Sequence, residues 1–177
     1  MATLNAVYVR AGTDDAAISA AIRAKFPNAE AEANTQFLGI TLPPEAFEAA
    51  EGDLMELSSR LNTDILWLSF QSTVDAFQFH HWRAGKHLRS LVYGCFAEER
   101  TWERAEGMSE PWERDVFFDQ EGLKLGMQYS KNDDAKREME RIWRDAEIRP
   151  GRIDPMLDGR ECARKVAVHF GFPGWGL

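Results

Sequence analysis

Cysteine is nearly missing from this chain. Its two copies, Cys95 and Cys162, lie far apart and in no Cys-x-x-Cys or metal-ligand spacing, which excludes a disulfide framework or zinc ribbon and predicts free, buried thiols in a reducing compartment. Long apolar runs are missing too: none approaches the roughly 20 residues that a membrane-spanning helix needs. The opening MATLNAVYVRAG lacks the basic head and apolar stretch of a signal peptide, so a cytoplasmic protein is expected. Positive charge is in short supply, with 21 Lys+Arg against 29 Asp+Glu and a net charge of −8. Such a chain gains nothing from the counterion release that drives binding to phosphate backbones, so nucleic acid and anionic membranes are not expected partners. There is no Gly-x-Ser-x-Gly, no Gly-rich phosphate loop and no His-Glu-x-x-His. Hydrolase, kinase, dinucleotide and zinc-protease classes therefore have no support, and no cofactor is expected. No internal repeat and no Gly-, Ser- or Pro-rich linker divides the chain, which predicts one domain over residues 1–177.

Apolar residues are not scarce: they make up 44% of the 177 residues, enough to fill one core. Residues 1–71 carry the pattern of a β-α-β-β-α-β unit. Leu4 to Arg10 reads as a strand. Ile18, Ile22 and Phe26 stripe a helix that Pro27 stops. AEAEAN (29–34) and QFLGITL (36–42) form a hairpin bent at Asn34-Thr35, with the acidic strand at the edge. Pro43-Pro44 leads into a helix striped by Phe47, Ala50, Leu54, Leu57 and Leu61, and ILWLSF (65–70) is apolar on both faces, as a central strand should be. The order resembles the ferredoxin-like split βαβ arrangement, which hosts many unrelated functions and so implies a fold without an activity.

Residues 72–107 predict an antiparallel meander. With Arg83 opposite Lys86 across Ala84-Gly85, Phe77, Phe79, Leu88, Val92 and Phe96 share one face, while Gln78, His80, Trp82, His87, Arg89 and Tyr93 share the other. Read as a helix, AEERTWERAEG stacks Glu99 on Glu103 and Arg100 on Arg104, so it is read as a strand. In residues 108–177, Ser109 is placed to cap a short helix containing Pro111 and Trp112, and 122–129 fits no single pattern. Two helices follow. One is capped by Asn132 and faced by Ala135, Met139, Ile142, Trp143 and Ala146. The other begins at Asp158, carries Cys162, Val166 and Phe170, and stops at Gly171, with Trp175 pinning the tail. The predicted class is thus α+β: a ferredoxin-like βαββαβ half extended by the meander, with two C-terminal helices packed on the sheet.

FHHWRAGKHLRSLVYGCF, followed by EERTWERAEG and EPWE, resembles a stretch of uncharacterised bacterial proteins with no assigned activity. The resemblance covers the middle third of the chain, implies a bacterial origin and carries over no functional residue.

Functional candidates concentrate in the meander. His80 and His87 fall on one predicted face near the hairpin tip, but no carboxylate or thiol stands at ligand spacing, so no metal is expected. Trp82, Tyr93 and Trp102 interleaved with Arg89, Arg100 and Arg104 have the make-up of a contact surface. With His80, His87 and Glu103, the three aromatics and Arg89 form the candidate binding set, provided the C-terminal helices leave that face open. Those helices also have apolar stripes to bury, and the face is the alternative place to bury them. The first expectation is a binding or accessory module without catalysis, acting on a protein or small-molecule partner or as a homodimer. The alternative is an enzyme with acid-base residues His80, His87, Arg89, Glu99 and Glu103 converging in a concave pocket.

Overall fold

The computed structural model describes residues 3–12, 15–27, 30–42, 50–71, 73–94, 101–151 and 158–174. Strands β1 (Thr3–Arg10), β2 (Glu30–Ala33), β3 (Phe37–Thr41), β4 (Asp64–Gln71), β5 (Ala76–Arg83), β6 (Lys86–Tyr93) and β7 (Trp102–Gly107) form one sheet in the order β2-β3-β1-β4-β5-β6-β7. Every neighbouring pair is antiparallel. The described helices are α1 (Asp15–Lys25), α2 (Ala50–Leu61), α3 (Pro111–Phe117), α4 (Gln120–Tyr129), α5 (Asp133–Asp145) and α6 (Gly159–Phe170). The class is α+β. No described helix is long and apolar enough to cross a membrane. Pro43, Pro44, Phe47, Cys95, Phe96, Glu99, Arg100 and Trp175, which figure in the sequence expectations, lie outside the described residues.

The first four strands follow from two interleaved crossovers. β1 and β2 run parallel with β3 between them, joined through α1; β3 and β4 run parallel with β1 between them, joined through α2. Both helices sit on one face of the sheet, where Ile18, Ile22 and Leu54 pack against Val7, Val9, Ile40, Ile65 and Trp67. The opposite face is covered by the C-terminal helices through Trp112, Phe117, Met139, Trp143, Val166 and their neighbours. β4, in the middle, is buried on both sides, which explains its continuous apolar sequence. β2 is the acidic edge expected from AEAEAN, and all four of its residues are exposed.

Among the described residues the C-terminal third holds four helices: the short one and the two longer ones expected, and one more. The unassigned 122–129 stretch is helical because Asp119 caps it, its carboxylate accepting from the Gly122 amide at 2.7 Å. Gly122 and Gly126 leave the space that Trp143 and Met139 fill from α5. α3 is capped by Glu110, not Ser109. Glu110 and Glu113 form a reciprocal capping box, and Ser109 Oγ instead donates to Glu113 Oε2 at 3.3 Å. α5 and α6 begin as expected, at Asn132 and Asp158, and α6 ends on a left-handed Gly171.

In the meander, Arg83 does stand opposite Lys86. Ala84 and Gly85 both have positive φ, 48° and 76°, the type I′ geometry whose twist suits a hairpin. A Cβ on Gly85 would lie 2.7 Å from that of Ser59, so α2 reserves this position for glycine. The faces differ from the expectation. Trp82 opposes His87 and His81 opposes Arg89, which leaves Leu88 as a bulge and shifts the rest of β6 by one residue. Phe77 and Phe79 therefore share their face with Leu91, Tyr93 and Arg89, not with Leu88 and Val92. A second bulge at Glu103 brings Trp102 opposite Tyr93.

Candidate functional site

The bulge at Leu88 splits the expected binding set. His80 and Trp82 point to the α2 face, whereas Arg89, Tyr93 and Trp102 point to the face under the C-terminal helices. All five are buried; His87 is exposed and Glu103 half-buried. The polar-aromatic surface anticipated from the sequence therefore does not form. Its aromatic members are interior because each sheet face has its own helical layer.

Each buried polar member is held by partners within the chain. His80 lies between two rings, its centroid 5.0 Å from Trp67 and 5.5 Å from Trp82. Ser90 Oγ lies 2.8 Å from its Nδ1. Burial, with the nearby charges of Arg104 and His87, pushes its pKa down to about 3. His80 is thus a neutral core residue. Glu51 lies 3.9 Å from it but is engaged by Arg104 at 2.8 Å, so no ion pair forms with the imidazole. Arg89 makes a bidentate pair with Glu113, Nε to Oε1 at 2.8 Å and Nη2 to Oε2 at 2.7 Å, and its Nη1 donates to the carbonyls of Glu106 and Gly107. Glu113 also accepts from the Glu110 amide at 2.9 Å. This pair staples β6 to α3.

His81, absent from the expected set, has an arrangement that resembles part of a catalytic device. Its Nε2 lies 2.9 Å from Asp64 Oδ1. Asp64 also accepts from Arg83 Nε at 2.7 Å and faces Arg10 at 3.3 Å. Burial alone would raise the Asp64 carboxyl, but the hydrogen bonds and charges of His81 and Arg83 outweigh it and hold it below the usual carboxylate range. The other ring nitrogen, Nδ1, is buried without a hydrogen bond, 3.7 Å from Glu110 Oε1. A base oriented by a carboxylate is half of a nucleophile-activating device. Here the free nitrogen faces a second carboxylate rather than a nucleophile, and His81 lines neither cavity described below. The enzyme reading needed His80, His87, Arg89, Glu99 and Glu103 to converge; Glu99 lies outside the described residues, and the sheet separates His80 from Arg89. Among the described residues, no group of three or more His, Cys, Asp or Glu is placed to hold a metal ion.

An open concavity lies elsewhere among the described residues. Above β2, β3 and β1, on the face carrying the C-terminal helices, is a cleft of about 560 Å³. Leu4, Ala6 and Phe70 give it an apolar floor, Glu30 and Glu32 stand on the β2 side, and Arg160 stands at the start of α6. Gly39 lets the chain close over one part of it: a Cβ there would lie 2.9 Å from Pro173 and 3.1 Å from the Tyr8 ring. A second cavity of about 290 Å³, between α3, α4, α5 and α6, includes Cys162 and Lys165, with Lys165 paired to Asp119. The signal for the cleft was present in the sequence as the acid alternation at a sheet edge. Arg160 and Phe70 carried none, because they meet that edge only through the fold. Comparison of the chain with protein-family models, with curated proteins and with solved structures gives no match.

Proposed function

We propose that the chain is a cytosolic bacterial binding module without catalytic machinery of its own, and that it takes a small-molecule or peptide partner in the cleft beside β2 rather than on the meander. One observation carries this reading: the cleft joins an apolar floor to charged walls in a volume of the size that small ligands occupy. The interleaved crossovers in the order β2-β3-β1-β4 support a ferredoxin-like unit over residues 1–71, a scaffold that leaves function to its sites. The burial of the meander supports a structural role for its histidines and aromatics.

A screen of small acids, amines, zwitterions and aromatic fragments by amide chemical shifts tests the site. Shift changes are expected at Glu30–Thr41, Phe70 and Arg160. A screen whose hits all map to 80–93, or one without hits, overturns the proposal.

A further inference from the structure

We infer that the cleft binds a short peptide with free ends, its ammonium terminus held by Glu30 and Glu32 and its carboxylate terminus by Arg160; the inference rests on the cleft being the ligand site.

The two acids occupy alternate positions of β2, opposite Thr41 and Gly39 of β3, so both project to the same side of the sheet. Thr41 and Gly39 in turn stand opposite Ala6 and Tyr8 of β1, which identifies that side as the floor of the cleft. On the far wall, Gly159 packs against the carbonyls of Asp75 and Ala76, which brings Arg160 to the Phe70 side. Glu30, Glu32 and Arg160 take part in no ion pair among the described residues. By contrast, the next two cations of α6, Arg164 and Lys165, are paired with Glu161 and Asp119. The cleft thus holds opposite charges at its two ends, unpaired among the described residues, with apolar surface between them.

Length selects among zwitterions. β2 and β4 are separated by two intervening strands, and adjacent strands lie about 4.8 Å apart, so β2 and Phe70, which lines the cleft with Arg160, are about 14 Å apart at the backbone. A span of that order suits an extended chain of roughly two to four residues at about 3.4 Å each. A free α-amino acid, whose two charges share one carbon, cannot meet both poles. A lone carboxylate or amine leaves one pole unused. An internal segment of a protein brings no terminal charges at all. Between the termini, a middle side chain would lie over Leu4, Ala6 and Phe70, which favours an apolar residue there.

Calorimetric titration of the full chain with the tripeptide Ala-Leu-Ala tests this, alongside its N-acetylated and its C-amidated forms. The free tripeptide is expected to bind, and each blocked form to bind about tenfold more weakly, the worth of one hydrogen-bonded charge. In Arg160→Gln, amidation is expected to cost nothing further. In the double variant Glu30→Gln/Glu32→Gln, acetylation is expected to cost nothing further. All three side chains are exposed, so these variants keep the fold. Equal affinity for free and blocked forms, or no heat from the free tripeptide, overturns the inference. If the tripeptide gives no heat while other fragments shift cleft amides, the ligand class falls and the site stands; if nothing shifts them, both fall.

Discussion

Replacing Glu113 by alanine is expected to lower the unfolding free energy by about 3–5 kcal/mol, the usual cost of removing one partner of a buried ion pair. Arg89 and Glu113 are both almost fully buried, so the substitution leaves a guanidinium in the interior with only the carbonyls of Glu106 and Gly107 to satisfy it. It also removes half of the capping box at the start of α3. That loss is a large fraction of the roughly 5–15 kcal/mol by which domains are stable. Replacing both partners, Arg89→Met with Glu113→Leu, is expected to recover most of it, because no charge is then stranded. Urea titration of the two variants measures the difference. A loss below about 1 kcal/mol for Glu113→Ala, the range of solvent-exposed pairs, would show that the pair is not interior.

The fold is also expected to lose stability as the pH falls from about 6.5 towards 3, with His80 as a main cause. Its folded pKa is about 3, against about 6.5 in an unfolded chain. In that window the unfolded state binds a proton that the folded state refuses, so the contribution is complete above pH 6.5 and is lost as pH drops to the folded value. One proton over that interval corresponds to about 5 kcal/mol. The physical reason is the closed stack of Trp67, His80 and Trp82, in which an imidazolium has no carboxylate within hydrogen-bonding distance. His80→Gln removes the proton-binding group and keeps an acceptor for Ser90. Its stability is expected to fall less steeply than that of the parent between pH 6.5 and 4.5, before carboxylates such as Asp64 and Asp119, both held below the usual range, begin to protonate. Parallel profiles for parent and variant would mean that His80 is accessible to protons in the folded state.

Much of the architecture was legible because its signals are local. The stripe of Ile18, Ile22 and Phe26, the doubly apolar ILWLSF, the acidic edge and the caps at Asn132 and Asp158 each depend on residues within one element. The meander register was not, and the reason is physical. Alternation identifies faces when one side is wet, but here both sides are dry. Gln78, His80 and Ser90 are buried on one face as thoroughly as Phe77, Phe79 and Leu91 on the other. Polarity then no longer marks the surface. The bulge at Leu88 brings Arg89 to Glu113 and His81 opposite Arg89, and the carboxylate it answers to is far along the chain. α4 escaped notice because its two glycines weaken helix propensity, while the fold uses them as seats for Trp143 and Met139. The cleft needs β2, Phe70 and Arg160 together, a meeting of elements that no local pattern encodes.

The interior placement of the meander's aromatics is tested most directly by hydroxyl-radical footprinting of the native chain read out residue by residue. Trp82, Tyr93 and Trp102 are 3%, 1% and 2% exposed, against 86% for Met108 and 67% for Tyr129. Oxidation is expected to be rapid at Met108 and Tyr129 and to spare Trp82, Tyr93 and Trp102 until the chain unfolds. Modification of Trp82, Tyr93 or Trp102 at a rate comparable to Tyr129 in the folded protein would contradict the burial of the meander and return the binding surface to it.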